Sequence, residues 1–341
     1  MREIVIVIRD LYLEPELAAD ASAPGIEYLA RFGDQAALRE GWRAWTSRWL
    51  GLQQYADAAP ASVAAAALEH APKDGAVWLA TPVHLIAGLT SVHFDRRSVL
   101  QLPQAELAEL AASFRGTFRG SGFDLRPLDG GELLLTGPEV SSTAATIEPA
   151  RLLLTSVAEA LPMGGGTHAL RRLSAEIEMW LHDHPVNGER ARRGELTVAT
   201  LWLWGGGAPA VSRPAEAPRE IMDAAFGADP YIRGLWRLAG GAARSMPVDW
   251  TAVIGDTRAQ RALGMMEIAE LLHANASWRL AEAVAEIDRR LISPSLTALL
   301  RGKLDRLVLL ANDRCLSLRP AHRWRLWRRM RPARKGLEAL A

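Results

Sequence analysis

Between His182 and Gly207 the sequence gathers residue types that could do chemistry: His182-Asp183-His184-Pro185-Val186-Asn187, then Arg190, then Trp204-Gly205-Gly206-Gly207. Histidines two apart can share a metal ion where the backbone is extended. A glycine run that closes a strand lets backbone N–H groups approach an anion or a neighbouring segment closely. Pro185 has no N–H and restricts the residue before it, so a helix ending near His182 should release His184. Asn187 is then placed to cap a following turn, with Arg190 one helical turn beyond. At a helix end, residues two apart point roughly 200° away from each other, which makes His182 and His184 weak metal candidates. The glycines form neither a Gly-Lys-Ser/Thr phosphate loop nor a dinucleotide fingerprint, because Pro209 falls where a helix should open. A tight turn in a crowded core explains them equally well.

The elements around this stretch must position it. Ile4–Ile8 is a short β-branched run, as expected of a strand buried on both faces, and it delivers Asp10 to its carboxyl end. Ligands of open α/β sheets gather at that edge. Ala76–Ala80 predicts a second strand, which the proline of Thr81-Pro82-Val83-His84 should end and turn, placing His84 near the same edge as Asp10. A hydrogen-bonded structural histidine is the alternative for His84.

Helices are predicted at Ile26–Phe32, Leu102–Phe118, His168–His182, Pro218–Phe226 and Met265–Leu300, the last broken near Pro294. Trp42, Trp45 and Trp49 form a packing stripe at helical spacing. Asp129-Gly130-Gly131 predicts a hairpin within Phe123–Thr136, and Asn312-Asp313 another between Leu304–Leu310 and Arg314–Leu318. Leu196–Trp204 reads as a strand, and Ala208–Pro218 as a linker. The glycines of Met163–Thr167 mark the natural break, giving an N-terminal α/β half over 1–162 and a C-terminal half over 163–341, or one continuous domain.

Composition sets outer bounds. The 341 residues carry a net charge of +1, which favours neither nucleic acid nor an anionic membrane as a global partner. Cys315 is the only cysteine, so an internal disulfide is excluded and a reducing compartment is expected. The five apolar residues Ile4–Ile8 are too few for a signal-peptide core and no run elsewhere reaches the length of a membrane span, so the expected location is the cytoplasm.

His184-Pro185-Val186-Asn187, Arg190, Gly194 and the strand closing on Leu203-Trp204-Gly205-Gly206-Gly207 resemble a segment of archaeal-type cofactor-independent phosphoglycerate mutases. They are still more similar to the bacterial RpfE-type regulatory-protein group, labelled phosphoglycerate-mutase-like. That group is also similar at Thr81-Pro82-Val83-His84-Leu85 and at the closing hairpin leading into Trp324-Arg325-Leu326-Trp327-Arg328-Arg329. The resemblance implies a mixed, mostly parallel central sheet with flanking helices, distantly alkaline-phosphatase-like, ending in a C-terminal β-hairpin.

It also implies phosphoryl transfer through a serine or threonine with two divalent metals on Asp and His ligands, chemistry that suits manganese or zinc. Only Asp10 carries over from that ligand set. The Asp-rich segment ending in Pro-His and the late Asp-Gly-His cluster are missing, His273 and Asp256 stand alone, and Ala199 replaces a usual asparagine.

The expectation is therefore a catalytically degenerate relative with a ligand-binding or regulatory role, no assigned catalytic residue and no cofactor. Its partner would be a small phosphorylated molecule or a protein, not a membrane. The expected lining is Asp10, His84, His184, Asn187, Arg190, Trp204 and Gly205 to Gly207. An active mutase or phosphoryl transferase using manganese or zinc is the alternative, with Asp10, His182 and His184 as weak ligands.

From Arg314 to Lys335 there are nine basic residues and no acidic one, interleaved with Trp324 and Trp327. A terminal helix that buries its tryptophans is the favoured account of this stretch. A nucleic-acid-associated regulator is the second alternative.

Overall fold

The structure, a computed structural model, describes residues 2–11, 22–88, 92–95, 97–138, 146–152, 167–210, 223–256, 259–311 and 313–329. It forms two compact units: Met1–Ala56 with Pro218–Ala228 and Ala239–Ala341, and Asp57–Ala217 with Asp229–Leu238. The units are interleaved in sequence and are not successive halves. The glycines at 164–166, where a break was expected, lie outside the described residues.

The strands run β1 Glu3–Arg9, β2 Asp34–Ala37, β3 Ala76–Val83, β4 Ile86–Ala87, β5 Val92–His93 and β6 Asp124–Pro127. They continue as β7 Leu133–Gly137, β8 Thr200–Gly207, β9 Asp223–Phe226, β10 Arg261–Glu267, β11 Arg306–Ala311 and β12 Arg314–Leu318. The first unit is built on a six-stranded sheet ordered β2-β12-β11-β1-β10-β9. Its four strands from β11 to β9 are parallel, and β12 and β2 add antiparallel at one edge.

All seven residues of β1 are buried between β10 and β11, as befits a parallel strand covered on both faces. The mixed, mostly parallel sheet with flanking helices was expected. So was the closing hairpin, whose strands are part of this sheet.

Helix Gly41–Trp49 packs its tryptophans by the amino-terminal edge of the sheet. Trp42 is buried, Trp45 and Trp49 stack at 6.2 Å between ring centroids, and Trp49 Nε1 donates to Glu3 at 3.1 Å. Arg306 pairs with Glu3, and Arg261 with Asp223, along the same edge.

The second unit carries an antiparallel sheet ordered β6-β7-β3-β8. Alternate residues of β3 enter two apolar clusters. Ala76, Trp78 and Ala80 face helices Gln104–Thr117 and Thr167–His182, while Val77, Leu79 and Val83 face Ala61, Ala64 and Ala65.

Four expected boundaries fail for physical reasons. β3 runs on through Pro82, which pairs with Leu201. β7 has already ended beside Ala80, and the Pro82 carbonyl accepts from Leu100 N at 2.9 Å on that open side. The missing N–H therefore costs no ladder bond. Asp223–Phe226 is strand β9 and not helix, because pairing with β10 outweighs local preference; residues 218–222 lie outside the description.

Met265–Glu267 likewise finish β10, and the helical run starts at Ile268. Near Pro294 the helix does not break. A wide π turn at Asp288–Ile292 joins helices Leu280–Ile287 and Ser293–Leu300. A π turn accommodates the carbonyl that a proline ring would otherwise strike and the bond it cannot make.

Asp288, buried in that π turn, accepts from Ile26 N at 2.8 Å, Gly25 N at 3.2 Å and Ser293 Oγ at 2.7 Å. It caps helix Pro24–Phe32, and its approach needs Gly25, where a Cβ would lie 2.7 Å from the carboxylate. Burial holds its carboxyl above the usual carboxylate range, against the lowering effect of the three donors. Asp288→Ala would strand two buried N–H groups and should cost about 2–4 kcal/mol. Asp288→Asn, which keeps one acceptor, should cost distinctly less; urea denaturation of the two variants is the measurement.

Candidate functional site

Asp10 sits at the carboxyl end of β1, as expected, with φ +59. Short polar side chains tolerate that left-handed conformation when they bond locally. Its two oxygens accept from Ile268 N at 2.7 Å and Ala269 N at 2.9 Å. Asp10 therefore closes the start of helix Ile268–Ala274, which follows β10 directly. Beside it Arg9 and Glu267 form an ion pair at 2.9 Å, with both side chains under a tenth exposed. This carboxyl edge is where an open sheet receives ligands.

The other candidates belong to the second unit. His184 has left the helix, with φ −70 and ψ 136, and caps the next one itself: its Nδ1 accepts from Val186 N at 3.2 Å. Asn187 has a different task from the cap expected of it. Its Nδ2 donates to Leu181 O and Val198 O, both at 2.8 Å, and its Oδ1 accepts from Val198 N at 2.7 Å. Arg190 Nε donates to Leu196 O at 2.7 Å, and its NH1 pairs with Glu106 at 2.7 Å and Glu195 at 3.2 Å.

His84 Nδ1 donates to Thr197 O at 2.8 Å, and its backbone N to Ser98 O. It directly follows β3, a strand of the antiparallel sheet, whereas Asp10 follows β1 of the six-stranded sheet. Asn187, Arg190 and His84 together fasten the segment Leu196–Val198 to its surroundings. That is a clasp made of polar side chains on backbone carbonyls and amides.

Gly205 to Gly207 are strand, not a turn beyond one. A Cβ on Gly206 would lie 2.3 Å from Trp78 Nε1, one on Gly207 2.6 Å from Ser62 Oγ, and one on Gly205 3.1 Å from Pro60 Cβ. The run gives close approach of backbone to Trp78 and helix Pro60–Ala65. Trp204 Nε1 donates to Thr81 Oγ1 at 2.8 Å, and that hydroxyl donates to Glu132 at 2.8 Å, all three residues buried. Nothing in the spacing of Thr81, Glu132 and Trp204 signals this chain, which depends on β3 lying beside β8.

His182 and His184 diverge. The His182 side chain is 82% exposed beside Asp183, while His184 is buried edge-on to Trp180 with ring centroids 4.9 Å apart. Among the described residues no three His, Cys, Asp or Glu side chains gather as metal ligands would, and no helix is long and apolar enough to cross a membrane.

No family model matches the chain. Over 136 residues it is 25% identical to the probable 2,3-bisphosphoglycerate-independent phosphoglycerate mutase of Geobacter sulfurreducens, covering 40% of this chain and 34% of that protein. The chain thus matches about a third of the relative's length. In that stretch it is distantly similar to cofactor-independent phosphoglycerate mutases. Among solved structures it is similar to the cofactor-independent phosphoglycerate mutase of Thermoplasma acidophilum, with 18% identity, coverage of 94% and 90%, and a TM-score of 0.39. It is also similar to a protein of Pyrococcus horikoshii, with 14% identity, coverage of 90% and 81%, and a TM-score of 0.47. Neither likeness is close enough to assign roles to residues.

Burial lowers the pKa of His184 below its ordinary 6.5, against the raising effect of Glu109. Its Nδ1 can cap only while it carries no proton. A histidine whose folded pKa is depressed binds fewer protons in the folded state, so its contribution to stability is present above pH 6.5 and lost as pH falls below that value. The denaturation midpoint should fall between neutral pH and about pH 5, and a His184→Asn variant, which caps without titrating, should flatten that fall. Gly206→Ala should cost about 1–3 kcal/mol by overpacking against Trp78, with thermal melting as the readout.

Proposed function

We propose that this chain is a phosphoglycerate-mutase-like protein of the RpfE type that no longer carries out metal-dependent phosphoryl transfer and serves a ligand-binding or regulatory role. The observation that carries this reading is the use made of Asp10. In a working site that carboxylate would face a divalent metal. Here its two oxygens cap a helix through Ile268 and Ala269. His182 points to solvent and the Nδ1 of His184 caps a helix, so these two do not share a metal ion. The described residues do not fit a manganese or zinc centre, whose oxygen and imidazole ligands must converge on one point.

The local similarity to a probable mutase supports common descent. The use of His84, Asn187 and Arg190 as a clasp on Leu196–Val198, and of His184 as a helix cap, supports a structural role for these residues. A retained ligand, of the small phosphorylated kind, is assigned to the carboxyl edge of the six-stranded sheet beside Asp10.

Titration of the purified protein with manganese and zinc in a calorimeter, followed by an assay of 3-phosphoglycerate isomerisation, tests the reading. The expected result is no stoichiometric metal binding and no turnover. Tight binding of one or two metals with turnover that disappears in Asp10→Asn would overturn it. As a helix cap, Asp10 should instead show its loss as about 1–3 kcal/mol of stability in Asp10→Ala.

A further inference from the structure

The basic C-terminal segment is built differently from its sequence expectation. Residues Pro320–Trp324 form a short 3-10 turn with no buried residue, and the tryptophans expected inside are outside. Trp324, Leu326 and Trp327 are 65%, 66% and 77% exposed. Their presentation is fixed from below. Arg325 NH1 donates to Phe32 O at 3.1 Å and to Asp34 at 2.6 Å, Arg328 NH1 donates to Gly33 O at 2.6 Å, and Arg31 Nε donates to Arg328 O at 2.9 Å. Guanidinium groups thus grip the carbonyl-rich end of helix Pro24–Phe32, where the dipole favours them.

With Arg325 and Arg328 turned inward, Arg319, Arg323 and Arg329 of the same segment remain exposed. The Arg323 guanidinium lies 4.9 Å from the centroid of Trp324. Asp34 is already engaged by Arg325 and lies 3.5 Å from His322. Positive charge dominates locally: His322 is held below its ordinary pKa first by burial, then by Arg325, with Arg319 and Arg328 adding to the effect against Asp34.

We propose that this surface binds single-stranded nucleic acid, with bases stacking on Trp324 and Trp327 and phosphates held by Arg319, Arg323 and Arg329. Aromatic faces and flanking cations, held in place by a rigid anchor, are the parts that sequence-tolerant single-strand binding uses. An anionic bilayer is the poorer fit. The segment from Arg325 to Arg329 is a non-helical turn, without the continuous helical backbone bonding that a segment placed among lipid chains requires. A nucleic-acid interface is wet and imposes no such requirement. The proposal is independent of the reading given to Asp10.

The test is fluorescence anisotropy of a labelled oligouridylate titrated with the full chain at several salt concentrations. Binding should weaken steeply with salt. Trp324→Ala with Trp327→Ala should lower affinity about tenfold or more with an unchanged melting temperature, since both side chains are exposed. Changing Arg319, Arg323 and Arg329 to Gln should reduce the salt slope by about 2. Three outcomes overturn the proposal: no binding at low salt, binding indifferent to the tryptophan pair, or loss of self-association in the tryptophan variant without any nucleic-acid binding. Binding to phosphatidylserine vesicles with none to the oligonucleotide also overturns it.

Discussion

The first N–H groups of a helix have no partner inside it, and once buried each must find an acceptor. Much of this molecule is organised around that requirement. Asp10 answers it for Ile268 and Ala269, Asp288 for Gly25 and Ile26, Asp229 for Ile232, and His184 for Val186. Asp10 and Asp288 reach across more than 250 residues of sequence, so they tie helices of the first unit to β1 and to the π turn. A carboxylate in such a place is held by burial and by its donors together. Removing it leaves desolvated amides behind, which costs more than the bond itself contributes.

The same requirement governs how the site can be interpreted. Histidine, asparagine, arginine and aspartate concentrated in one stretch suggest chemistry, because those types can bind metal, phosphate or protons. In the second unit they bind backbone instead. Asn187 uses both ends of its amide on Leu181 and Val198, and Arg190 divides its guanidinium between Leu196 and the carboxylates of Glu106 and Glu195. The three glycines are there because Trp78 and helix Pro60–Ala65 press against the strand. On these bonds, the polar residues of this segment hold the local fold together.

The charged residues that frame the six-stranded sheet follow a simpler logic. Its amino-terminal edge is closed by Glu3 with Arg306 and Asp223 with Arg261, its carboxyl edge by Arg9 with Glu267. Between them β1 is wholly apolar except at its ends. The C-terminal arginines extend this use of guanidinium groups to the end of helix Pro24–Phe32, and in doing so hold Trp324 and Trp327 out from the surface.

Local signals alone determined a good part of the fold. The β-branched run of β1, the Asp129-Gly130-Gly131 and Asn312-Asp313 hairpins, the helices near Ile26 and Leu107, and the release of His184 by Pro185 all rest on patterns within a few residues. Tertiary structure decided whatever depended on a distant neighbour. Pro82 could stay in a strand because β7 ends beside Ala80, and Asp223–Phe226 became strand because β10 was there to pair with it. Pro294 was absorbed by a π turn, and the glycines were set by the indole of Trp78 and by helix Pro60–Ala65. The tryptophans near the C-terminus were expected inside, but the arginines between them found partners on another helix, and that settled which side chains faced water.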